Sequence, residues 1–159
     1  MVTLICGTLC SGKTTLARSI CRQTGAVLLS CDELMLAMFP DDGLGNEYET
    51  YATRAKAYLL QQTEALAAAG VDVVLDWGFW KRAEREQTAK RLAAKGIRVE
   101  WKETCVDEET RKAYVQARNR CVENGLIKAY FVDKALFDKA LRLYEPMQED
   151  EWKIYARFS

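Results

Sequence analysis

The 159-residue sequence contains no histidine. This absence excludes a Ser-His-Asp or Cys-His nucleophile system, a His-ligated zinc or iron site and a histidine phosphocarrier. Any general acid or base must therefore be a carboxylate, lysine, tyrosine or cysteine. An excess of either charge is also missing, because 23 Lys and Arg balance 23 Asp and Glu for a formal net charge of +0. Since nucleic-acid-binding proteins usually carry a basic surplus, this balance favours a small partner over a polyanion.

The sequence has no apolar run of the ~18 residues that suggest a membrane-spanning helix. It begins at Met1 without the basic and long apolar segments of a secretory signal. Six cysteines are an even number, which would suit disulfides in a secreted protein, but no two of them form a C-x-x-C pair. We therefore expect a cytoplasmic protein without membrane contacts, in which most cysteines are reduced and serve as small core residues.

Apolar runs typical of buried strands alternate with segments of helical periodicity along the whole chain. This alternation predicts βαβ units, and hence an α/β domain with a parallel sheet and helices on both faces. The length suits a single domain over 1–159. The predicted strands are 2–6, 26–29, 71–75 and 97–104, with 152–158 as a candidate final strand. The predicted helices are 12–24, 32–39 (ended by Pro40 and followed by a loop over 41–46), 48–69, 79–95, 107–119 and 133–144.

An unbroken match to the phosphate-binding pattern G-x-x-x-x-G-K-[ST] follows the first predicted strand. Average residue frequencies give this pattern by chance in roughly one in two hundred chains of this length. A helix follows the match, and this is the setting in which backbone N–H groups and a helix amino end bind phosphate. Lys13 is predicted to reach the β and γ phosphates, and the Thr14 hydroxyl to ligate Mg²⁺. The predicted nucleotide-binding residues of the loop are Gly7, Thr8, Leu9, Cys10, Ser11, Gly12, Lys13, Thr14 and Thr15.

Kinases, GTPase switches and motors all bind nucleoside triphosphates. The sequence has no N-K-x-D guanine motif, and Trp77 follows Asp76 where a motor usually has an acidic pair. A small kinase that transfers phosphate from ATP to a hydroxyl of a small molecule is therefore the economical hypothesis. The alternatives are a nucleotide-gated regulatory ATPase or binding module and a nucleic-acid end kinase.

Two aspartates are predicted at the carboxyl edge of the sheet, where ligands bind in folds of this type. Asp32 lies two residues after Ser30 and is the candidate base for the acceptor hydroxyl, with Glu33 as a weaker alternative. A helix N-cap is the other role open to Asp32, and both roles are compatible. Asp76 ends the third strand and is predicted to hold Mg²⁺ through water or to bind an acceptor hydroxyl. A purely structural role is its alternative.

Positive charge is needed on the transferring phosphoryl group, and arginine supplies it with a fixed donor geometry. Arg111 and Arg118 lie seven residues apart on one face of a predicted helix. A mobile lid near 119–131 is expected to fold them over the nucleotide, with a solvated basic face as the alternative. Arg82 and Arg85 occur in a mixed-charge helix near the active edge and are candidate acceptor contacts. Four aromatic residues are candidates for an acceptor pocket or for the core: Tyr48, Tyr51, Phe79 and Trp80.

Together these motifs resemble the small P-loop kinases, a group that includes chloramphenicol phosphotransferase, the zeta toxins, the kinase domain of polynucleotide kinase and many bacterial AAA-like ATP-binding proteins. The resemblance spans nearly the whole chain. It rests on the phosphate loop 7–15, Ser30-Cys31-Asp32-Glu33, Leu75-Asp76-Trp77-Gly78-Phe79-Trp80, Arg82 and Arg85, Arg111, and Arg118-Asn119.

The resemblance implies a three-layer P-loop fold with five parallel strands in the order 2-3-1-4-5. It also implies that Asp32 is the catalytic base and that Arg118 is a lid arginine near the γ-phosphate, acting together with Lys13. One residue departs from the pattern. Polynucleotide kinases carry an arginine three residues after the base, whereas this chain has Met35, which argues against a polynucleotide or 5′-phosphate-bearing acceptor.

Overall fold

Four parallel strands form the centre of the molecule in the computed structural model, which describes residues 1–39 and 44–155. The strands are β1 (Val2–Gly7), β2 (Val27–Ser30), β3 (Val73–Gly78) and β4 (Val99–Thr104). They are ordered β2-β3-β1-β4, and each neighbouring pair is parallel. The sheet therefore has the predicted α/β class and the predicted order of its first four strands.

The helices connect successive strands and follow β4. They are α1 (Lys13–Thr24), α2 (Cys31–Met38), α3 (Tyr48–Ala68), α4 (Arg82–Ala93), α5 (Glu108–Glu123), α6 (Lys134–Leu143) and α7 (Glu149–Tyr155), and a short 3₁₀ helix covers Gly45–Glu47. No helix among the described residues combines the length and the apolar character needed to cross a membrane.

Two separate cores cover the two faces of the sheet, because alternate residues of a strand point to opposite faces. Val2 and Leu4 of β1 belong to a core that includes Leu92 of α4. Ile5 belongs to the other core with Ala17 of α1. A third apolar cluster lies between α2 and α3 and contains Cys31, Met35, Ala52, Ala55 and Leu59.

The final predicted strand is wrong for the residues that the structure describes. Positions 152–155 lie in α7, and 156–158 fall outside the described residues. The described sheet thus has four strands where five were expected. The first turn of α7 carries Glu149, Asp150 and Glu151, whose negative charge stabilises a helix amino end.

Another boundary differs from expectation. Helix α5 continues to Glu123, beyond the end at residue 119 that the sequence predicts. The predicted helix stop at Pro40 and the loop residues 41–43 lie outside the described residues.

The carboxyl ends of all four strands meet at one edge, since the strands are parallel. Gly7, Ser30, Gly78 and Thr104 are the last residues of β1 to β4. The segments that follow them carry most of the predicted site residues, so this edge is where the candidate site lies.

Candidate active site

The phosphate loop is held in a curved conformation by its glycines and by β4. Gly7 has φ +151°, and a Cβ atom at this position would lie 2.3 Å from Thr104 Oγ1. Ser11 Oγ lies 2.6 Å from the same hydroxyl and donates to Thr8 O at 2.8 Å. Gly12 adopts the left-handed conformation at φ +91° and begins α1. Only glycine is free of a side-chain clash at Gly7, so the motif glycine is required by close packing as well as by backbone geometry.

Lys13 lies within the curve of the loop. Its Nζ donates to Thr8 O at 2.6 Å. Burial lowers the pKa of Lys13, while the charges of Asp76 and Asp32 oppose this change. The two aspartates therefore lie near enough to stabilise the ammonium group.

Thr14 and Asp76 are joined directly, although they are 62 residues apart in the sequence. Thr14 Oγ1 donates to Asp76 Oδ2 at 2.7 Å. Asp76 is 5% exposed, and burial raises its pKa against the hydrogen bond from Thr14 and the charge of Lys13. The two predicted metal ligands are thus neighbours.

Their oxygens suit Mg²⁺, which is commonly held by one or two protein groups together with waters and substrate phosphates. No group of three or more His, Cys, Asp or Glu side chains in the described ranges is arranged to hold a metal ion on its own. Thr14 and Asp76 therefore fit as two ligands of a Mg²⁺ ion that waters and substrate phosphates complete.

Asp32 is the second residue of α2 and is exposed at the carboxyl edge of the sheet. The surrounding protein raises its pKa by desolvation, while Arg118, Lys13 and Lys56 lower it. The N-cap of α2 is Ser30, whose Oγ accepts a hydrogen bond from Glu33 N at 3.3 Å. The cap role considered for Asp32 therefore belongs to Ser30, and the pattern S-x-x-E in Ser30 to Glu33 is a sequence signal for it.

The alternative base, Glu33, is turned to the surface. It accepts a hydrogen bond from Arg18 Nη2 at 2.9 Å, and both side chains are more than half exposed. The charges of Lys13 and Arg118 both lower the pKa of Asp32.

Arg111 and Arg118 of α5 carry donors that no described residue accepts. Arg111 Nη2 donates to Val106 O at 3.2 Å, but Arg111 Nε and Arg118 Nε are buried and have no hydrogen-bond partner among the described residues. The same is true of Thr8 Oγ1 in the phosphate loop. Buried polar atoms are normally satisfied, because leaving one unpaired costs about 1–3 kcal/mol. These three atoms therefore fit a ligand rich in acceptor oxygens, as a nucleotide is.

The segment after α5 is fastened to that helix by Asn119. Its Nδ2 donates to Val132 O at 2.8 Å, and its Oδ1 accepts from Val132 N at 2.9 Å. None of the residues of α5 itself is buried. The predicted lid region is thus a helix and a returning segment joined by one side chain, a role for Asn119 that the sequence analysis missed.

Aromatic rings pack on the apolar cluster beside α2, the helix that carries Asp32. Tyr48 and Tyr130 make an edge-to-face contact with ring centroids 5.6 Å apart. Burial and the nearby charge of Asp32 both raise the pKa of Tyr48. Phe39 and Tyr51, with centroids 4.9 Å apart, extend this group of rings. The rings that pack on the cluster between α2 and α3 are Phe39, Tyr48, Tyr51, Trp77 and Tyr130, and we call this set the aromatic wall.

Phe79 belongs to the core, so its candidate role in an acceptor pocket is wrong. It is 0% exposed and contacts Trp101 edge-to-face at 5.0 Å. The register of β3 against β1 shifts at Trp77, because Ile5 pairs with Asp76 and Cys6 pairs with Gly78. This bulge moves the following side chains away from the regular alternation of a strand.

The structure also corrects the substrate-contact role considered for Arg82 and Arg85. Arg85 is 0% exposed and binds both carboxylate oxygens of Glu151, at 2.7 and 2.9 Å. Arg82 binds Glu86 at 2.9 Å and Asp150 at 2.6 Å. Both guanidinium groups therefore hold α4 to α7 and are engaged within the fold.

Several solved structures share this fold. A sugar kinase from Janibacter sp. HTCC2649 is 20% identical with a TM-score of 0.61, over 98% of this chain and 90% of its own. The shikimate kinase of Aquifex aeolicus vf5 is 17% identical with a TM-score of 0.54, over 100% of this chain and 84% of its own. A chain of the Pnkp1/Rnl/Hen1 RNA repair complex is 18% identical with a TM-score of 0.70, over 99% of this chain and 46% of its own. No curated protein matches the sequence.

The family comparison covers most of the chain. A model described as the AAA domain matches residues 2–147, a range that includes the phosphate loop, Asp32, Asp76, Arg111 and Arg118. The resemblance inferred from the motifs is thereby confirmed. With this match and the shared fold together, the chain belongs to the AAA domain family and has the fold of the small P-loop kinases.

Proposed function

We propose that the protein is a phosphotransferase that uses ATP and Mg²⁺ to phosphorylate a hydroxyl group of a small molecule. The observation that best supports this function is the meeting of three charges at one edge of the sheet. The charges of Lys13 and Arg118 both act on the carboxylate of Asp32. Phosphoryl transfer to a hydroxyl requires this combination of a base and phosphate-stabilising cations.

The nucleotide side of the site has groups for both the phosphates and the metal. The backbone N–H groups of the phosphate loop and the start of α1 provide donors for phosphate oxygens. Thr14 and Asp76 would hold Mg²⁺, and the Nε groups of Arg111 and Arg118 would donate to the nucleotide. Mg²⁺-ATP supplies the transferable phosphoryl group and the metal charge that neutralises it during transfer.

Asp32 supplies the proton chemistry. Desolvation by the surrounding protein raises the pKa of its carboxyl group, which makes the carboxylate a better proton acceptor than an ordinary aspartate. The charge of Asp32 acts on Tyr48, so an acceptor bound beside this ring would have its hydroxyl near the carboxylate. Asp32 then orients the hydroxyl and takes its proton as the oxygen attacks phosphorus.

A nucleic-acid end kinase is the second candidate, favoured by the likeness to a chain of an RNA repair complex. Met35 argues against it. This residue lies one helical turn after Asp32, is 0% exposed and packs in the apolar cluster between α2 and α3. That position therefore provides no positive charge for a polynucleotide phosphate.

The test compares wild-type protein with Asp32→Asn, Lys13→Ala and Glu33→Gln. Transfer of labelled γ-phosphate is measured with a panel of sugars, polyols and hydroxy acids, and with an RNA oligonucleotide that has a 5′-hydroxyl. Asp32→Asn should reduce transfer by about 10²–10⁴-fold while ATP binding persists. Lys13→Ala should lose both, and Glu33→Gln is the matched carboxylate control.

Each contrary result identifies a different error. Transfer at the wild-type rate by Asp32→Asn shows that the base is assigned wrongly. Salt-sensitive transfer to the oligonucleotide alone favours the nucleic-acid end kinase. ATP turnover that responds to a protein and to no hydroxyl compound favours the regulatory ATPase.

A further inference from the structure

Helix α5 carries Arg118 but has no buried face. None of its residues is buried, so apolar packing contributes little to fixing its position. The polar contacts at its amino end are local, since Asp107 Oδ1 accepts from Thr110 N at 2.8 Å and Arg111 Nη2 donates to Val106 O at 3.2 Å. The orientation of the helix therefore depends on the hydrogen bonds that join it to more distant parts of the chain.

The amide of Asn119 makes hydrogen bonds of this kind. Its Nδ2 donates to Val132 O at 2.8 Å and its Oδ1 accepts from Val132 N at 2.9 Å, across 13 residues of sequence. Among the side-chain hydrogen bonds described for α5, these two span the longest stretch of chain. Two bonds to one residue resist rotation as well as separation, and Val132 is only 3% exposed, which shields them from competing water.

The segment that receives these bonds is attached to the helix that carries the candidate base. Tyr130, two residues before Val132, packs on the apolar cluster between α2 and α3 and contacts the ring of Tyr48 edge-to-face. Asp32 belongs to α2, one of the two helices that form this cluster. The returning segment thus connects the cluster beside Asp32 with the amide of Asn119.

Arg118 directly precedes Asn119, so any displacement of α5 at this point moves the arginine as well. Its Nε is buried and has no partner among the described residues, which leaves the donor available to a ligand. An arginine that stabilises the charge of a transferring phosphoryl group must be placed accurately, because a shift of about 1 Å can cost about 10²-fold in rate. The Asn119 amide is the described group best placed to provide that accuracy.

We propose that Asn119 is a positioning residue, whose amide fixes α5 so that Arg118 meets the phosphoryl group during transfer. This inference rests on the proposed function and adds to the same site a residue that acts through another. In this role the amide contacts neither nucleotide nor acceptor. Its removal should therefore weaken stabilisation of the transition state much more than binding of the nucleotide, and only in a protein that retains Arg118.

The experiment measures the affinity for a fluorescent Mg²⁺-ADP with and without aluminium fluoride, which mimics the transferring phosphoryl group. Aluminium fluoride should tighten binding to wild-type protein. Asn119→Ala should lower this enhancement at least about tenfold and leave the affinity for Mg²⁺-ADP alone unchanged. Asn119→Asp keeps the acceptor for Val132 N but loses the donor to Val132 O, and should also lower the enhancement. The matched control is Asn124→Ala, because Asn124 is exposed at the C-cap of α5 and should leave the enhancement intact.

A double-mutant cycle separates positioning from a general structural role. In Arg118→Ala the enhancement should already be small, and Arg118→Ala/Asn119→Ala should lose nothing more, because the amide acts through the arginine. A further loss as large as that in the wild-type background overturns the proposal. So does an unchanged enhancement in Asn119→Ala, an equal weakening of Mg²⁺-ADP alone, failure of Asn119→Ala to fold, or no enhancement in wild type.

Phosphate transfer to the panel of hydroxyl compounds distinguishes this proposal from the proposed function. An aluminium fluoride enhancement that depends on Asn119, without transfer to any hydroxyl compound, refutes the kinase activity and leaves the positioning role standing. Where transfer occurs, Asn119→Ala should lower kcat and leave the KM for ATP unchanged. Transfer at the wild-type kcat by Asn119→Ala refutes the positioning role and leaves the kinase activity standing.

Discussion

Arg118 and Arg85 both lie on helices near the active edge, yet their surroundings are opposite. Arg118 belongs to α5, a helix without a buried residue, and its Nε is a buried donor with no partner among the described residues. Arg85 is 0% exposed, binds both oxygens of Glu151 and donates to Phe79 O at 3.0 Å and Glu145 O at 2.9 Å. One arginine is left with capacity for a ligand, and the other joins two parts of the fold.

The region around Arg85 shows how the end of the described chain is held. We call residues 144–152 the C-terminal segment. Tyr144 Oη donates to Glu103 Oε1 at 2.5 Å, and Met147 N donates to the same oxygen at 3.1 Å. Glu145 N donates to Trp80 O at 2.8 Å. Polar groups of this segment are thus satisfied by β4 and by the loop after β3, whereas the nucleotide side keeps unpaired donors. We therefore expect variants around Arg85 to change mainly the stability of the fold, and variants on the nucleotide side to change mainly phosphate transfer. Each variant below tests one of these two regions.

The largest effect is expected for Arg118→Ala. Phosphate transfer should fall by about 10³-fold or more, because a transition-state arginine contributes this much in related chemistry. The melting temperature should hardly change, since α5 buries no residue. Arg120→Ala is the control, because Arg120 is exposed on the same helix. Measured kcat and thermal unfolding check the prediction, and a large loss of stability with normal transfer would contradict it.

Arg85→Met should have the next largest effect, this time on stability. Removing one member of a buried ion pair leaves Glu151 charged in the interior and typically costs about 3–5 kcal/mol. Equilibrium unfolding in urea measures the change. Transfer per folded molecule should stay near that of wild type, because the groups that Arg85 binds, Glu151, Phe79 O and Glu145 O, lie outside the phosphate loop.

Two further variants sharpen this stability prediction. Arg85→Met/Glu151→Leu should recover most of the loss, since an apolar pair avoids the desolvation cost of the ions. Arg82→Met should cost less than about 1 kcal/mol, because its partners Glu86 and Asp150 are partly exposed. Equal losses of unfolding free energy in Arg82→Met and Arg85→Met would show that the burial of Arg85 does not make it more important for stability than Arg82.

The two sides should also respond in opposite directions to pH. Desolvation by the surrounding protein raises the pKa of Asp32, so this group favours unfolding above its folded pKa, and its contribution improves as the pH falls through that value. For Glu151, burial raises the pKa, but hydrogen bonds from Arg85 and Gln148 N outweigh it and leave the pKa lowered. Glu151 therefore stabilises the fold above the unfolded pKa of Glu, and this contribution is lost as the pH falls through the folded pKa.

Unfolding free energies of wild type, Asp32→Asn and Glu151→Gln between neutral and acidic pH measure both slopes. On acidification, wild type should gain stability relative to Asp32→Asn. Over the same pH range it should lose stability relative to Glu151→Gln. The kcat/KM for transfer should fall as Asp32 becomes protonated, with a midpoint above the ordinary value for aspartate of about 3.9. A midpoint at or below that value would contradict a pKa of Asp32 that is raised by desolvation.

The nucleotide side was the more predictable of the two regions. The phosphate loop is a local pattern, and Asp32 and Asp76 follow strands whose parallel arrangement brings their ends together. The partnership of Arg85 and Glu151 spans 66 residues and leaves no local signal. The bulge at Trp77 also interrupts strand periodicity, so the sequence pattern leaves Phe79 open to the core or to an acceptor pocket. In the C-terminal segment, the sequence predicts a strand from Trp152, whereas the structure has the helix α7 there. Glu151 of this helix binds Arg85, a contact that the local sequence does not reveal.

The smallest effect is expected for Arg18→Ala. Its ion pair with Glu33 is 2.9 Å long, but the side chains are 57% and 53% exposed. Solvent screening and the entropy of ordering two flexible side chains limit such a pair to less than about 1 kcal/mol. Urea unfolding at low and at high salt should therefore show a minor loss that salt removes. A salt-independent loss as large as that of Arg85→Met would show that exposure does not set the strength of ion pairs in this protein, and the contrast between its two regions would fail.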